Sequence, residues 1–252
     1  MKTGLVKPGI KRILGVTFAL IIFAFSFKIT AQQKFTKVYP TGGISRLQVS
    51  NLTGSISVET WNKDGYKITA NCEAPVARLS PEFGSGGLII NVLRDNPDRT
   101  DIGDVNFRVF VPVNSIVDVE TKRGNITIRG VRGSMVRARV TLDGDIELTE
   151  IKSSWVLAQN TLGNIFFDGE LIPDGKYNLS AMQGDININL PQNSAFHLMA
   201  FAPRTHNIDL GSFAQSFTFI DDKRRVVGQV GNGRAALTLI NQRGQILFRN
   251  NK

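Results

Sequence analysis

Short stretches in which apolar and polar residues alternate recur along this chain in almost the same words. "TGSISV" begins at Thr53, "RGNITI" at Arg123, "LDGDIEL" at Leu142, "LGNIFF" at Leu162, "QGDINI" at Gln183, "HNIDL" at His206 and "RGQILF" at Arg243. The isoleucines of the last six are Ile126, Ile146, Ile165, Ile186, Ile208 and Ile246; the first five are separated by 20, 19, 21 and 22 residues. Ile246 follows 38 residues later, two coils' worth. Two residues after each isoleucine comes Ile128, Leu148, Phe167, Ile188, Leu210 or Phe248, on the same face of a strand. A period near 20 with little helical periodicity predicts an all-β fold, a β-solenoid of the parallel β-helix kind.

Each coil carries a second strand before its glycine: Val117 and Val119, Val156 and Ala158, Tyr177 and Leu179, Leu237 and Leu239. One coil breaks register, with Arg137 and Arg139 at those positions, so Val136, Ala138 and Val140 must point inward through a one-residue shift or bulge. Stacked coils place the isoleucines in a ladder at ~4.8 Å spacing, each side chain worth ~1.5–3 kcal/mol when buried. Glycine suits the corner because it accepts positive φ. The next residue runs Asn125, Asp145, Asn164, Asp185, Asn207, Gln245, so amides interleave with carboxylates and are expected to hydrogen-bond along the stack.

Residues 32–121 are less periodic and are expected to form an N-terminal β section capping the stack, with the coils over 122–252. A hairpin insertion near 211–232, "SFTFIDDKRRVVGQV", is expected to project with Lys223, Arg224 and Arg225 at its tip. The single Cys72 lies in the alternating run "YKITANCEA" and is expected to be buried.

Lys2, Lys7, Lys11 and Arg12 precede an uncharged apolar run from Ile13 to Phe27, then "KITAQQ". This predicts a signal peptide over 1–31, cleaved after Ala31, and hence a protein exported to the periplasm, cell surface or medium. The run is shorter than the ~20 residues of a comfortable membrane span, so no stable span remains after cleavage. The whole chain has a formal net charge of +9, but residues 1–31 hold five basic and no acidic residues. The remainder has 25 basic against 21 acidic residues, about +4.

The run "VPVNSIVDVETKRGNITIRGVRGSMVRARVTLDGDIELTEI", with its further "GNI" and "GDI" coils and the opening "LQVSNLTGSISVETWNKDGYKITA", resembles the bacterial family of "putative adhesins" over residues 44–250. That resemblance implies an exported β-solenoid domain in or on the cell envelope, with no catalytic residues to carry over. His206 in place of a turn glycine and the hairpin insertion depart from the family pattern.

Chemistry is sparse. His197 and His206 lack the companions of a zinc site. Asp145 and Asp185 share a repeat position two coils apart, ~9.6 Å, near the upper separation of an inverting carboxylate pair. Turn geometry alone accounts for aspartate there. Asp95, Asp98, Asp101 and Asp104 lack the ligand order of a calcium loop. No cofactor is called for. Positive charge is more suggestive: Lys122, Arg123, Arg129, Arg132, Arg137 and Arg139 fall on two successive rungs, with no acidic residue from 121 to 142. They form a candidate surface for polyanions, against the simpler reading of a solvated, edge-protecting face. Export and the absence of interleaved aromatics argue against nucleic acid.

The reading that results is a non-enzymatic, adhesin-like binding or structural module of the cell envelope. Its expected partners are envelope polysaccharide, another anionic polymer or an envelope protein. A β-helix carbohydrate-active enzyme and an envelope-stress sensor acting through a protein partner are the alternatives.

Overall fold

The computed structural model describes residues 33–41, 45–94, 96, 98, 101–205, 207–220, 222 and 224–250. The expected leader, Asp95, His206 and Lys223 lie outside them.

The chain is all-β. Its N-terminal part forms β1 (Gln33–Tyr39), β2 (Arg46–Thr53), β3 (Ile56–Trp61), β4 (Tyr66–Cys72), β5 (Arg78–Gly84), β6 (Gly87–Leu93) and β7 (Val105–Pro112). Strand pairs then follow one another: β8 (Ile116–Arg123) and β9 (Ile126–Arg129), β10 (Met135–Asp143) and β11 (Ile146–Ile151), β12 (Trp155–Leu162) and β13 (Ile165–Gly169), β14 (Lys176–Gln183) and β15 (Ile186–Leu190), β16 (Phe196–Phe201) and β17 (Ile208–Asp209). A 3₁₀ turn (Gly211–Ser216) leads to β18 (Phe217–Ile220), β19 (Arg225–Val230), β20 (Ala235–Asn241) and β21 (Ile246–Asn250).

These strands make two large mixed sheets, neither closed. The first runs β1-β4-β7-β3-β9-β11-β13-β15-β21-β17 and the second β18-β19-β16-β20-β14-β12-β10-β8-β2-β6-β5. Parallel pairing fills the middle of both; antiparallel strands are added at both ends of the second sheet (β5, and β18 with β19) and at one end of the first (β1 and β4), whose other end, β17, pairs parallel with β21. The expected boundary between residues 121 and 122 falls inside β8, and both sheets continue across it.

The isoleucine ladder forms, in an order that differs from the sequence. Ile126, Ile146, Ile165 and Ile186 are mutual neighbours, all fully buried, and the next rung is Ile246. Ile208 stacks beyond Ile246. The interval before Ile246, counted as two coils, is instead occupied by β17, the 3₁₀ turn, β18, β19 and β20. At the opposite end Ile56 sits between Ile126 and Phe107. Each end of the regular stack is thus flanked by a further strand, which shields edges that would otherwise be free to pair. The hairpin of β18 and β19 extends the second sheet through β16 instead of projecting. Phe213, Phe196 and Phe248 pack together beneath it, with ring centroids 5.3–6.2 Å apart.

The irregular coil resolves as a register shift between Val140 and Asp143, which buries Val136, Ala138 and Val140 and turns Arg137 and Arg139 outward. At the corners, Gly54, Gly124, Gly144, Gly163, Gly184 and Gly244 all have φ between +101° and +153°. The Asx residues bond side chain to backbone, not amide to carboxylate as expected. Asn125 Oδ1 accepts from the Asp145 N–H, Asp145 from Asn164, Asn164 from Asp185, and Asp185 from Gln245, at 2.6–2.9 Å. An acceptor oxygen is what each link needs, so Asn and Asp serve equally. Buried amides complete the corners: Asn160 Nδ2 donates to the Gly144 and Asn164 carbonyls, and Asn241 Nδ2 to those of Gly184 and Gln245. Cys72 is buried, which pushes its thiol pKa up.

Candidate binding groove across the second sheet

Inward burial of Val136, Ala138 and Val140 dictates that Arg137, Arg139 and Thr141 face out, and the same parity applies on the neighbouring strands. Register then sets Glu120, Arg139, Gln159, Ser180, Ile240 and Phe201 side by side across six strands. Beside that row lies an open groove of about 260 Å³ lined by Arg139, Thr141, Gln159, Thr161, Ser180, Met182, Ile240 and Gln242, with backbone between them. It continues into a second depression of the same volume through the shared Thr161, Met182 and Gln242, adding Leu162, Gln183, Arg204 and Arg243. The groove crosses the strands along the stacking direction. Its lining runs from β10 to β20, three strand steps or ~14 Å at ~4.8 Å each, and β8 beside it, with Lys122, makes a fourth, ~19 Å in all.

The six basic residues singled out in the sequence do not share one surface. Lys122 faces out on β8 beside the groove, with Arg123 at the glycine corner; both are exposed. Arg137 and Arg139 lie on the outer face, paired with Asp118 at 2.6 Å and Glu120 at 3.6 Å. Those carboxylates precede the acid-free stretch in sequence but stand opposite it in register. Arg129 belongs to the first sheet and pairs with Glu150 at 2.5 Å, which raises the guanidinium pKa. Arg132 sits at the far corner in a depression shared with Glu150, Lys152, Asp168 and Glu170. There Lys152, 2.7 Å from Glu170, holds that carboxyl below its ordinary range. Arg224 and Arg225 adjoin the β18–β19 turn.

Asp145 and Asp185 each spend a carboxylate oxygen on the corner ladder. His197 is exposed on β16. Among the described residues no group of three or more His, Cys, Asp or Glu side chains is gathered as a metal would require, and no helix is long and apolar enough to cross a membrane. The groove residues Gln159, Thr161, Ser180, Met182 and Gln242 were missed in the sequence, though they are the outward half of the same alternation that marked the core.

No protein-family model and no curated protein matches the chain. Solved structures do. A "putative cell adhesion protein" from Clostridium sporogenes matches over 87% of this chain and 100% of its own, with a TM-score of 0.52 at 9% identity. Two structures described as "putative adhesin", from Bacteroides fragilis and Parabacteroides distasonis, cover 87% and 86% of this chain and 97% of each of theirs. Their TM-scores are 0.34 and 0.36, at 9% and 7% identity. The Clostridium protein shares the all-β fold seen here. The resemblance drawn from the coil motif is therefore borne out at the level of fold, by a structure described as a "putative cell adhesion protein".

Proposed function

We propose that this chain is a non-enzymatic, adhesin-like binding module of the cell envelope or cell surface, a β-solenoid-type stack that holds an extended anionic polymer along its second sheet. The observation that carries this reading is the groove: it crosses successive strands, so hydroxyl and amide side chains repeat at the strand spacing, as an extended ligand requires. Exposed basic residues flank it, Lys122, Arg123 and Arg139 toward one end and Arg204 and Arg243 toward the other. They would draw a polyanion in and fix its ends, while the uncharged middle adds many weak contacts. Export through the leader at 1–31 brings such a module to the periplasm, the cell surface or the medium. The description of the Clostridium neighbour supports the adhesin reading.

The test is binding of purified residues 32–252 to a panel of envelope polymers across a salt series, beside the Lys122→Ala, Arg123→Ala, Arg139→Ala triple variant. Binding that weakens with salt and is lost in the variant is expected. Binding unchanged in the variant, or no binding to any polyanion, would overturn the assignment.

A further inference from the structure

A second cluster lies far from the groove, on the outer face of the first sheet. β3 ends at Trp61, β7 carries Phe110, and the turn from Asn62 to Gly65 leads into β4. The Trp61 and Phe110 rings stack with centroids 5.7 Å apart and planes 25° apart. The indole Nε1 donates to the Gly65 carbonyl at 3.0 Å, which fixes the ring. Three cations stand over this pair: Lys63 Nζ 5.4 Å from the Trp61 centroid, and Lys67 Nζ at 6.0 Å and the Arg108 guanidinium at 5.1 Å from that of Phe110. Arg108 is also bound to both carboxylate oxygens of Glu59 at 3.3 Å. Lys63 and Lys67 enter no ion pair among the described residues.

Beside the rings is an open cavity of about 420 Å³, within the ~300–1,000 Å³ usual for small-ligand sites. Its lining includes Trp61, Lys63, Asn62, Asp64, Asn114 and Ser45. Ring packing and cation–π attraction account for the aromatic pair and its cations as surface structure. They leave unexplained why an ammonium group without an ion pair, two amides and a hydroxyl, beside the single carboxylate of Asp64, line a concavity bordered by a half-buried indole, with a second such ammonium, that of Lys67, over the neighbouring Phe110 ring. Sugar recognition uses that combination: an aromatic ledge meets the apolar C–H side of a pyranose, and amides and hydroxyls meet its hydroxyl groups. Cations beside the ledge select a sugar that bears a negative charge.

We propose that the cavity beside Trp61 binds a carboxylate-bearing sugar unit of an acidic polysaccharide, with Lys63 at the cavity wall receiving the carboxylate and Lys67, over Phe110, adding positive charge nearby. A phosphodiester would satisfy the lysines and the amide donors and leave the aromatic ledge unused. The inference rests on the reading of the chain as an envelope binding module, and not on the groove.

The sequence has two tryptophans, and Trp155 lies on β12 of the other sheet. In a Trp155→Phe protein, fluorescence therefore reports Trp61 alone. Titration with trigalacturonate, with the neutral galactose trisaccharide and with polyphosphate separates the ligand classes. The expected result is a saturable change with trigalacturonate, about tenfold or more weaker in Lys63→Ala, Lys67→Ala, with folding intact by circular dichroism, since Lys63 is exposed and Lys67 half-buried. No response to trigalacturonate, or an equal response to either control, would overturn the proposal. Polymer binding unchanged in the groove variant, with the Trp61 response intact, would count against the groove alone. A silent Trp61 with groove binding intact would count against this site alone.

Discussion

The carbonyl oxygen of Gly144 lies so close to the Cα of Gly163 that a Cβ on Gly163 would overlap it. Gly163 also has φ of +123°, where an L side chain is strained. Gly163→Ala should therefore lower stability by about 2 kcal/mol or more, from strain and displaced backbone together. Gly86 has open space around its Cα. Gly86→Ala should stay within about 0.5 kcal/mol of wild type. Urea midpoints of the two variants, compared with wild type, check both statements.

Ile165 is fully buried between Ile146 and Ile186. Ile165→Asp places a carboxylate in that ladder without a partner, and stability of about 5–15 kcal/mol for a whole domain cannot absorb an unpaired buried charge and the lost apolar contact easily. The variant should lose its cooperative melt in a thermal scan followed by circular dichroism. A melt like that of wild type would contradict the ladder.

Asn160 holds two corner carbonyls through a single Nδ2, at 2.8 Å to Gly144 and 3.2 Å to Asn164. Asn160→Ala should cost about 1–3 kcal/mol, as buried acceptors lose their donor. The rung with Ala181 at the matching position lacks this brace, so Ala181→Gly should cost less than Asn160→Ala in the same denaturant series.

The Tyr177 hydroxyl accepts from the Ile172 N–H at 2.7 Å and donates to the Ser153 carbonyl at 2.8 Å. Burial raises its pKa above the ordinary phenol value, against a smaller lowering by the Ile172 hydrogen bond. Its contribution is fully present below the unfolded pKa of about 10 and is lost as pH rises from there through the higher folded pKa. Tyr177→Phe should be less stable at neutral pH, and its stability should fall less steeply than wild type above pH about 10. Denaturation curves across that range show whether the two slopes differ in this sense.

The core was legible because alternation reports burial directly: Ile126 and Ile128, or Val156 and Ala158, need no partner to be recognised as inward. Even the displaced register at Arg137 and Arg139 could be read, since Val136, Ala138 and Val140 offered the only apolar side. Stacking order was not legible. Ile246 is nearer in sequence to Ile208 than to Ile186, and only the packing of β16 against β20 and of Phe248 against Phe196 puts the last rung between them. Pairing of Arg137 with Asp118 was likewise hidden, because the two are 19 residues apart and meet across adjacent strands. Outward residues such as Gln159 and Ser180 carry no apolar signal, so a surface made of them emerges only once register is known.

The claim that the groove receives an extended polyanion is tested most directly by affinity as a function of ligand length. Oligogalacturonides from the dimer upward would be titrated against the Lys63→Ala, Lys67→Ala protein, which silences the proposed second site. Affinity should climb until the oligomer spans the ~19 Å from β8 to β20 and reaches the basic residues at both ends, then level off. Affinity that does not change with length would contradict a groove that works along the stack.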